Sequence, residues 1–234
     1  MSSWVLAIDT STEACSCALG YKEEVLYRYT DIPRKHAEKV LPMIDELLAE
    51  AGITKQQLSG IAFGRGPGAF TGLRIASSVV QGLAFALDIP ITPISTLQAL
   101  AQRGRREYGY TQVLAAIDAR MDELYWCFFG VGEGGYMAAQ SDESISAAAA
   151  IRIPQGIVAV DSACLPDISG VGTGWQYVSQ MPAPLNRVRS FQNNMYSHAL
   201  DVLTLALPAI ASGRQFSAEQ ALPTYLRNNV VQRK

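Results

Sequence analysis

The sequence predicts a mixed-sheet α/β protein built from two halves, and three observations carry that prediction. Strand-like apolar runs follow one another at the head of the chain, joined by turns too short to hold a helix. Strands and amphipathic helices then alternate, which is the layout of a sheet covered by helices. The opening pattern also begins again near mid-chain. Val113-Leu114-Ala115-Ala116-Ile117-Asp118 echoes Val5-Leu6-Ala7-Ile8-Asp9, and residues 123–129 ending at Gly130 echo residues 13–19 ending at Gly20.

Taken in order, residues 4–8 form an apolar strand ending in Asp9, Thr10-Ser11-Thr12 makes a turn, and residues 14–19 and 25–29 give two more strands of an antiparallel meander. Val40, Leu41, Ile44, Leu47, Leu48 and Ala51 then repeat at helical spacing, with Glu38, Lys39, Asp45, Glu46 and Glu50 between them, and Gly52 closes the helix. Pro42 inside this helix is expected to kink it or delay its start. A strand at 61–63, a glycine-rich loop, a helix at 71–87, a strand at 90–94 and a helix from Ser95 towards Arg106 complete the first half. The repeat puts a boundary near residues 103–110, giving an N-terminal lobe 1–103 and a C-terminal lobe 104–234 whose last segment is free to pack back on the first. The second copy then degrades. A turn at 132–135, a strand within 136–144, ambiguous stretches at 147–150 and 155–160 and a helix at 196–211 follow, with no counterpart of the helix at 36–51.

The stretch FGRGPGAFTGLRIASSVVQGLAFAL, residues 63–87, organises the first half. Gly64, Gly66 and Gly68 permit close backbone approach, and Thr71 stands where a helix cap would. Two readings stand: a phosphate cradle at a helix N-terminus, or a tight strand-to-helix turn. The loop lacks the Gly-Lys-Ser/Thr ending of a P-loop and the spacing of a dinucleotide fingerprint. The helix carries no charge after Arg74, so it is either sandwiched in its own domain or half covered by another protein.

At 234 residues and 49% hydrophobic content the chain has ample material for a core. A net charge of −2 from 19 basic and 21 acidic residues supplies no global field for steering nucleic acid or a membrane surface. Cys15, Cys17, Cys127 and Cys164 lie in or beside apolar runs without CxxC spacing and read as buried thiols of a cytoplasmic protein. No export leader and no membrane span are expected from the sequence.

Duplicated halves that each open on an Asp-containing hairpin turn resemble the actin-like (ASKHA) ATPase and sugar-kinase group, with two RNase H-like lobes, the second one degenerate here. In that group the first turn reads Asp-x-Gly-Thr/Ser and grips phosphate. Here it reads Asp9-Thr10-Ser11-Thr12, and the second, Asp118-Ala119-Arg120-Met121, also lacks a glycine. Over most of its length the chain further resembles the bacterial TsaB (YeaZ) family. The blocks are AIDTSTEACSCALG, RKHAEKVLPMIDELL, AFGRGPGAFTGLRIASSVVQGLA, LAAIDARMDELYW, VGTGW and YLRNN, in that order.

That resemblance implies a non-catalytic paralogue of TsaD. It pairs with TsaD so that TsaD transfers a threonylcarbamoyl group to the adenosine beside the anticodon of tRNA, with the ATPase TsaE completing the complex. It implies no cofactor held tightly by this chain, ATP and a metal ion in the partners, tRNA met through the complex, no membrane, and a homodimer when TsaD is absent. It places the interface on the helices at 35–51 and 71–87, for which Val40, Met43, Ile44, Leu47, Ala76, Val79, Val80 and Leu83 are the candidates. Asp9, Arg65, Thr71 and Arg74 are candidates for contact with nucleotide or TsaE, against a plainer role in capping and loop bracing. The alternatives are a nucleotide-hydrolysing enzyme of the actin-like group and, less favoured, a protease acting on TsaD. His36 and His198 are the two histidines, read as a solvated helix start and as a surface or cap residue. The positions four residues on are Val40 and Val202, so neither histidine begins a helical ligand pair, and no GxSxG elbow is present. Arg103-Gly104-Arg105-Arg106, Arg227 and Arg233 are candidates for phosphate contact, against solvated helix ends.

Overall fold

The computed structural model describes residues 3–154, 157, 168–183 and 185–227. Apart from Ile157, the stretch at 155–160 lies outside the described residues, as do Cys164 and Arg233. The chain divides into two compact units, one comprising Met1–Ala99 with Tyr196–Thr224 and the other Leu100–Met195 with Tyr225–Lys234. Residues 196–224 therefore fold with the first half and not with the half they follow in sequence.

In the first unit β1 (Trp4–Asp9), β2 (Cys15–Tyr21) and β3 (Glu24–Thr30) make the antiparallel meander, followed by α1 (His36–Glu50), β4 (Leu58–Gly66), α2 (Phe70–Leu87) and β5 (Ile91–Ser95). α3 (Thr96–Tyr108) carries the chain into the second unit, built on β6 (Gln112–Asp118), β7 (Glu123–Val131), β8 (Met137–Ala139), β9 (Ser144–Ala147), β10 (Ser169–Val171) and β11 (Phe191–Gln192). α4 (Ala199–Ala211) returns to the first. The first sheet runs β3-β2-β1-β4-β5, with β4 and β5 parallel to β1. The second runs β11-β10-β6-β7-β8, with β9 also on β7. Each sheet is thus an antiparallel hairpin extended on one side by two parallel strands, and the two hairpins are the ones repeated in the sequence.

β1 is buried from end to end because helices cover both faces of its sheet, and so it reads as a near-continuous apolar run. Alternation sorts the strand residues into two faces. Leu6, Ile8, Cys17, Leu19, Ile61 and Phe63 join the inner stripes of α1 and α2 in one core. On the opposite face small residues admit α4: Ala199 N donates to Ser16 Oγ at 2.9 Å, and a Cβ on Gly20 would lie 2.8 Å from Leu203. In the second unit Trp175 is fully buried, donates its indole N–H to Leu114 O at 2.9 Å and stacks on Phe191 at 5.3 Å. Gly170 is the residue that lets it in, since a Cβ there would sit 2.1 Å from the indole.

Several boundaries differ from expectation. The strand expected at 61–63 extends over Leu58–Gly66, held on both edges by β1 and β5. α1 starts at His36, six residues before Pro42, so the proline sits inside the helix without delaying it. The stretch 136–144 breaks into two separate strands that both pair with β7. α2 begins at Phe70, with Ala69 as N-cap in extended conformation and no side-chain cap bond, so Thr71 does not cap it.

Trp175→Ala is expected to lower the unfolding free energy by about 3–5 kcal/mol, read from urea denaturation of the full chain. A loss below about 1 kcal/mol would show that the indole is not the centre of that unit's packing.

Candidate functional site

The turn after β1 is closed. Thr10 and Ser11 have no solvent exposure and Thr12 is 4% exposed. Ser11 N and Oγ both donate to Asp9 Oδ1, at 2.8 and 2.5 Å. Thr10 Oγ1 donates to Gly72 O at 2.7 Å, and Ala69 N donates to Ser11 O at 2.8 Å. A Cβ on Gly72 would lie 1.9 Å from Thr10 O, and one on Gly68 2.2 Å from Ser11 O. The glycine-rich loop therefore lies backbone on backbone against residues 10–12, and its glycines serve that approach. At Gly68 and Gly72 no room is left between the loop and residues 10–12 even for a methyl group. The turn also reaches α1, whose His36 Nε2 lies 2.9 Å from Thr12 O, and Ser197, whose Oγ is 3.1 Å from Ser11 Oγ.

Asp9 sits beneath this turn, 1% exposed, with Oδ2 unpartnered and packed against Gly64. Burial holds its carboxyl above the ordinary value of 3.8, opposed by the hydrogen bonds from Ser11 and by the nearby Ser197 hydroxyl and His36.

The two helices that the loop positions present a different face from the one expected. Val40, Met43, Ile44, Leu47, Ala76 and Val80 are buried in the core of their own unit. Their stripe faces the sheet, so they have no surface to offer a partner. Val79 and Leu83 are half-buried at its margin. The outer face instead carries Leu41 at 48%, Phe70 at 51% and Phe85 at 75% exposure. A groove of about 500 Å³ runs between the helices, lined by Ala37, Leu41, Phe70, Arg74, Ile75 and Val79. The Arg74 guanidinium lies 3.9 Å over the Phe70 ring. Thr71 also lines this groove, whereas Asp9 is buried beneath the turn and Arg65 donates Nη1 to Thr224 Oγ1 at 2.8 Å while accepting Thr224 N at 2.7 Å. The four polar candidates are thus not one constellation. Leu41, Phe70 and Phe85 escaped the sequence reading because α2 is apolar on both sides and the strongest stripe belongs to the core.

Residues 30–232 match the family model for TsaD, tRNA N6-adenosine threonylcarbamoyltransferase. The chain is 37% identical to the tRNA threonylcarbamoyladenosine biosynthesis protein TsaB of Escherichia coli, over 98% of this chain and 97% of that one. It is 38% identical to the Haemophilus influenzae TsaB, over 98% and 96%. The chain belongs to the TsaB family. Among solved structures, YeaZ from Pseudomonas aeruginosa superposes with a TM-score of 0.86 at 47% identity, covering 95% of this chain and all of that one. A second P. aeruginosa structure, of a protein described as similar to the peptidase YeaZ, gives 0.89 at 48% identity over 96% of this chain.

In this TsaB-family chain several serine, histidine and cysteine side chains are buried. Ser11 and Ser197 are at most 1% exposed. His36, expected as a solvated helix start, is buried on the Thr12 carbonyl. His198 caps α4 by accepting Leu200 N at Nδ1, but it is buried and stacked on Tyr29 at 4.9 Å, not a surface residue. Burial pushes the Cys15 thiol up to about 12 and the Cys127 thiol up to about 11, which leaves both protonated. Among the described residues no group of three His, Cys, Asp or Glu side chains is placed to hold a metal ion.

The turn after β6 is built differently. Arg120, Met121 and Asp122 all take left-handed backbone, with φ of 64°, 59° and 59°. Each costs of the order of 1 kcal/mol for a non-glycine residue and persists only when neighbours enforce it. Asp118 Oδ1 accepts Arg120 N at 2.8 Å, and Arg227 donates to Arg120 O at 3.2 Å and to Glu123 Oε2. Arg227, a candidate for phosphate contact, is therefore a brace of this turn.

Gly72→Ala is expected to cost about 3 kcal/mol of stability by overpacking, because the new methyl would meet the Thr10 carbonyl, a backbone group that cannot swing aside; full stability in the denaturation curve would refute the closed turn. A second expectation concerns pH. Since the folded-state value of Asp9 is raised, its stability contribution is fully present below 3.8 and is lost as pH rises through the raised value. Asp9→Asn keeps the acceptor for Ser11, so it should match the parent in acid and unfold at higher denaturant at neutral pH. A parent whose lead over the variant grows with pH would contradict this.

Proposed function

We propose that this chain serves tRNA threonylcarbamoyladenosine biosynthesis in the cytoplasm as a non-catalytic subunit. It docks on a TsaD-type transferase through the outer faces of α1 and α2, with TsaE joining the pair and a homodimer forming when TsaD is absent. The observation that carries this reading is the exposed apolar face of α2, an eighteen-residue helix of mean hydropathy 1.3. By length and composition alone it would cross a membrane, but its inner stripe is the core of an α/β unit. An outer face this apolar is what a permanent partner covers. Phe85 and Phe70 supply aromatic anchors and Arg74 a charge at the rim, the composition in which binding energy concentrates.

The closed first turn supports the negative half of the proposal. The position that would grip phosphate is filled by the chain's own loop, and the carboxylate beneath it is sealed from solvent. ATP and a metal ion accordingly belong with the partners, and tRNA is reached through the assembly. No observation favours the nucleotide-hydrolysing alternative.

Phe85→Asp and Leu41→Asp are each expected to weaken co-purification with a TsaD partner at least tenfold, worth about 1.4 kcal/mol, while leaving the unfolding midpoint unchanged. Val80→Asp, which buries a charge, should unfold the chain instead. Undiminished pairing of the folded Phe85→Asp and Leu41→Asp variants would overturn the docking face. Titration of the isolated chain with ATP and Mg²⁺ should give no heat of binding, and a saturable isotherm would overturn the closed turn's role.

A further inference from the structure

The second unit carries a surface that the docking role does not use. α3 ends in Arg103-Gly104-Arg105-Arg106-Glu107-Tyr108, and Gly109, at φ +72°, turns the chain to Tyr110. The rings of Tyr108 and Tyr110 stack at 5.4 Å with 21° between their planes, and Tyr108 remains 48% exposed. Tyr110 OH accepts Ser190 Oγ at 3.0 Å, which brings in a loop from eighty residues further along the chain. In that loop Val188 is anchored in the core. Arg187 and Arg189 flank it on the exposed side, and among the described residues neither has an ion-pair partner. The nearby acid, Glu107, is engaged by Arg103 at 2.9 Å and Arg106 at 3.2 Å. Arg105 is committed to Gly135 O at 2.7 Å. The fold therefore ties an open aromatic stack, through Tyr110 and Ser190, to a loop that exposes Arg187 and Arg189.

Stacked aromatic rings take the faces of unpaired bases, and adjacent arginines take the phosphates between them. An acidic protein segment would answer the arginines but has no use for the ring stack, and a membrane surface would need an apolar wedge where this patch has Ser190 and Gln192. We propose that Tyr108, Tyr110, Arg187 and Arg189 form a docking surface for unpaired RNA. The surface lies on a different unit from the α1–α2 face, so the proposal stands or falls independently of that reading.

The test is fluorescence anisotropy of a labelled RNA hairpin with an unpaired loop, titrated with the full chain at low salt. The hairpin is expected to bind more tightly than the same stem closed into a blunt duplex. Tyr108→Ala should weaken binding roughly tenfold, whereas Tyr108→Phe, which keeps the ring, should not. Charge reversal of both arginines, Arg187→Glu with Arg189→Glu, should weaken binding and reduce the slope of log affinity against log salt by about 2. All variants should keep the parent's unfolding midpoint, since the altered side chains are exposed. Absence of hairpin binding by the parent, equal binding of hairpin and duplex, affinity untouched by the substitutions, or equal displacement of RNA by polyglutamate would each overturn the proposal.

Discussion

The structure of the first unit depends on one constraint: the backbone of residues 10–12 rests directly on the backbone of the loop at Gly68 and Gly72. That approach fixes the start of α2 through the Ser11 carbonyl, which receives Ala69 N, and the start of α1 through the Thr12 carbonyl, which faces His36. Two helices far apart in sequence are thereby set side by side at one turn. Its hydroxyls are spent on Gly72 and Asp9, and Asp9 is left as a buried carboxyl with an unpartnered oxygen, which a fold tolerates only at some cost. A glycine-rich loop is thus evidence of close approach, and what approaches has to be found in the structure.

From that base the two faces of α2 divide the work. Leu73, Ala76, Val80 and Ala84 are buried and hold the helix to its sheet. Phe70, Ser78, Gly82 and Phe85 stand outside, beside Leu41 of α1. A helix with one buried stripe ordinarily spends its outer face on charge, as α1 does with Glu38, Lys39, Glu46 and Glu50. In α2 that expenditure is missing after Arg74. The ion pairs of Arg28 with Glu46 and Glu50 lie on the flank of α1 that meets β3, which leaves the side towards α2 apolar.

Much of the fold was legible in the sequence because its signals are local. A short apolar run gave β1, an alternating run gave β2, short turns between such runs gave the meander with β3, helical spacing gave α1, and the repeated Asp-turn hairpin gave the antiparallel pairs β1-β2 and β6-β7. The site was less legible because its partners are distant. Thr10 and Gly72 are 62 positions apart, and only the fold shows that the glycine serves the threonine. Periodicity also cannot choose between two apolar faces, so Val40, Met43, Ile44, Leu47, Ala76 and Val80 looked like interface until burial assigned them to the core. His36 looked like a solvated helix start, but the Thr12 carbonyl claims it; His198, read as a surface or cap residue, is the cap of α4 and is buried under Tyr29. The irregular stretch after β7 carries no period, and it splits into two short strands.

The measurement that bears most directly on the central claim is hydroxyl-radical footprinting of the Leu41, Phe70 and Phe85 side chains, with the chain free and in complex with a TsaD partner. The account requires all three to be oxidised readily in the free chain diluted until it is monomeric and to lose most of that reactivity in the complex, while buried Val80 stays unreactive in both. Unchanged oxidation of Leu41, Phe70 and Phe85 in a fully formed complex would contradict it.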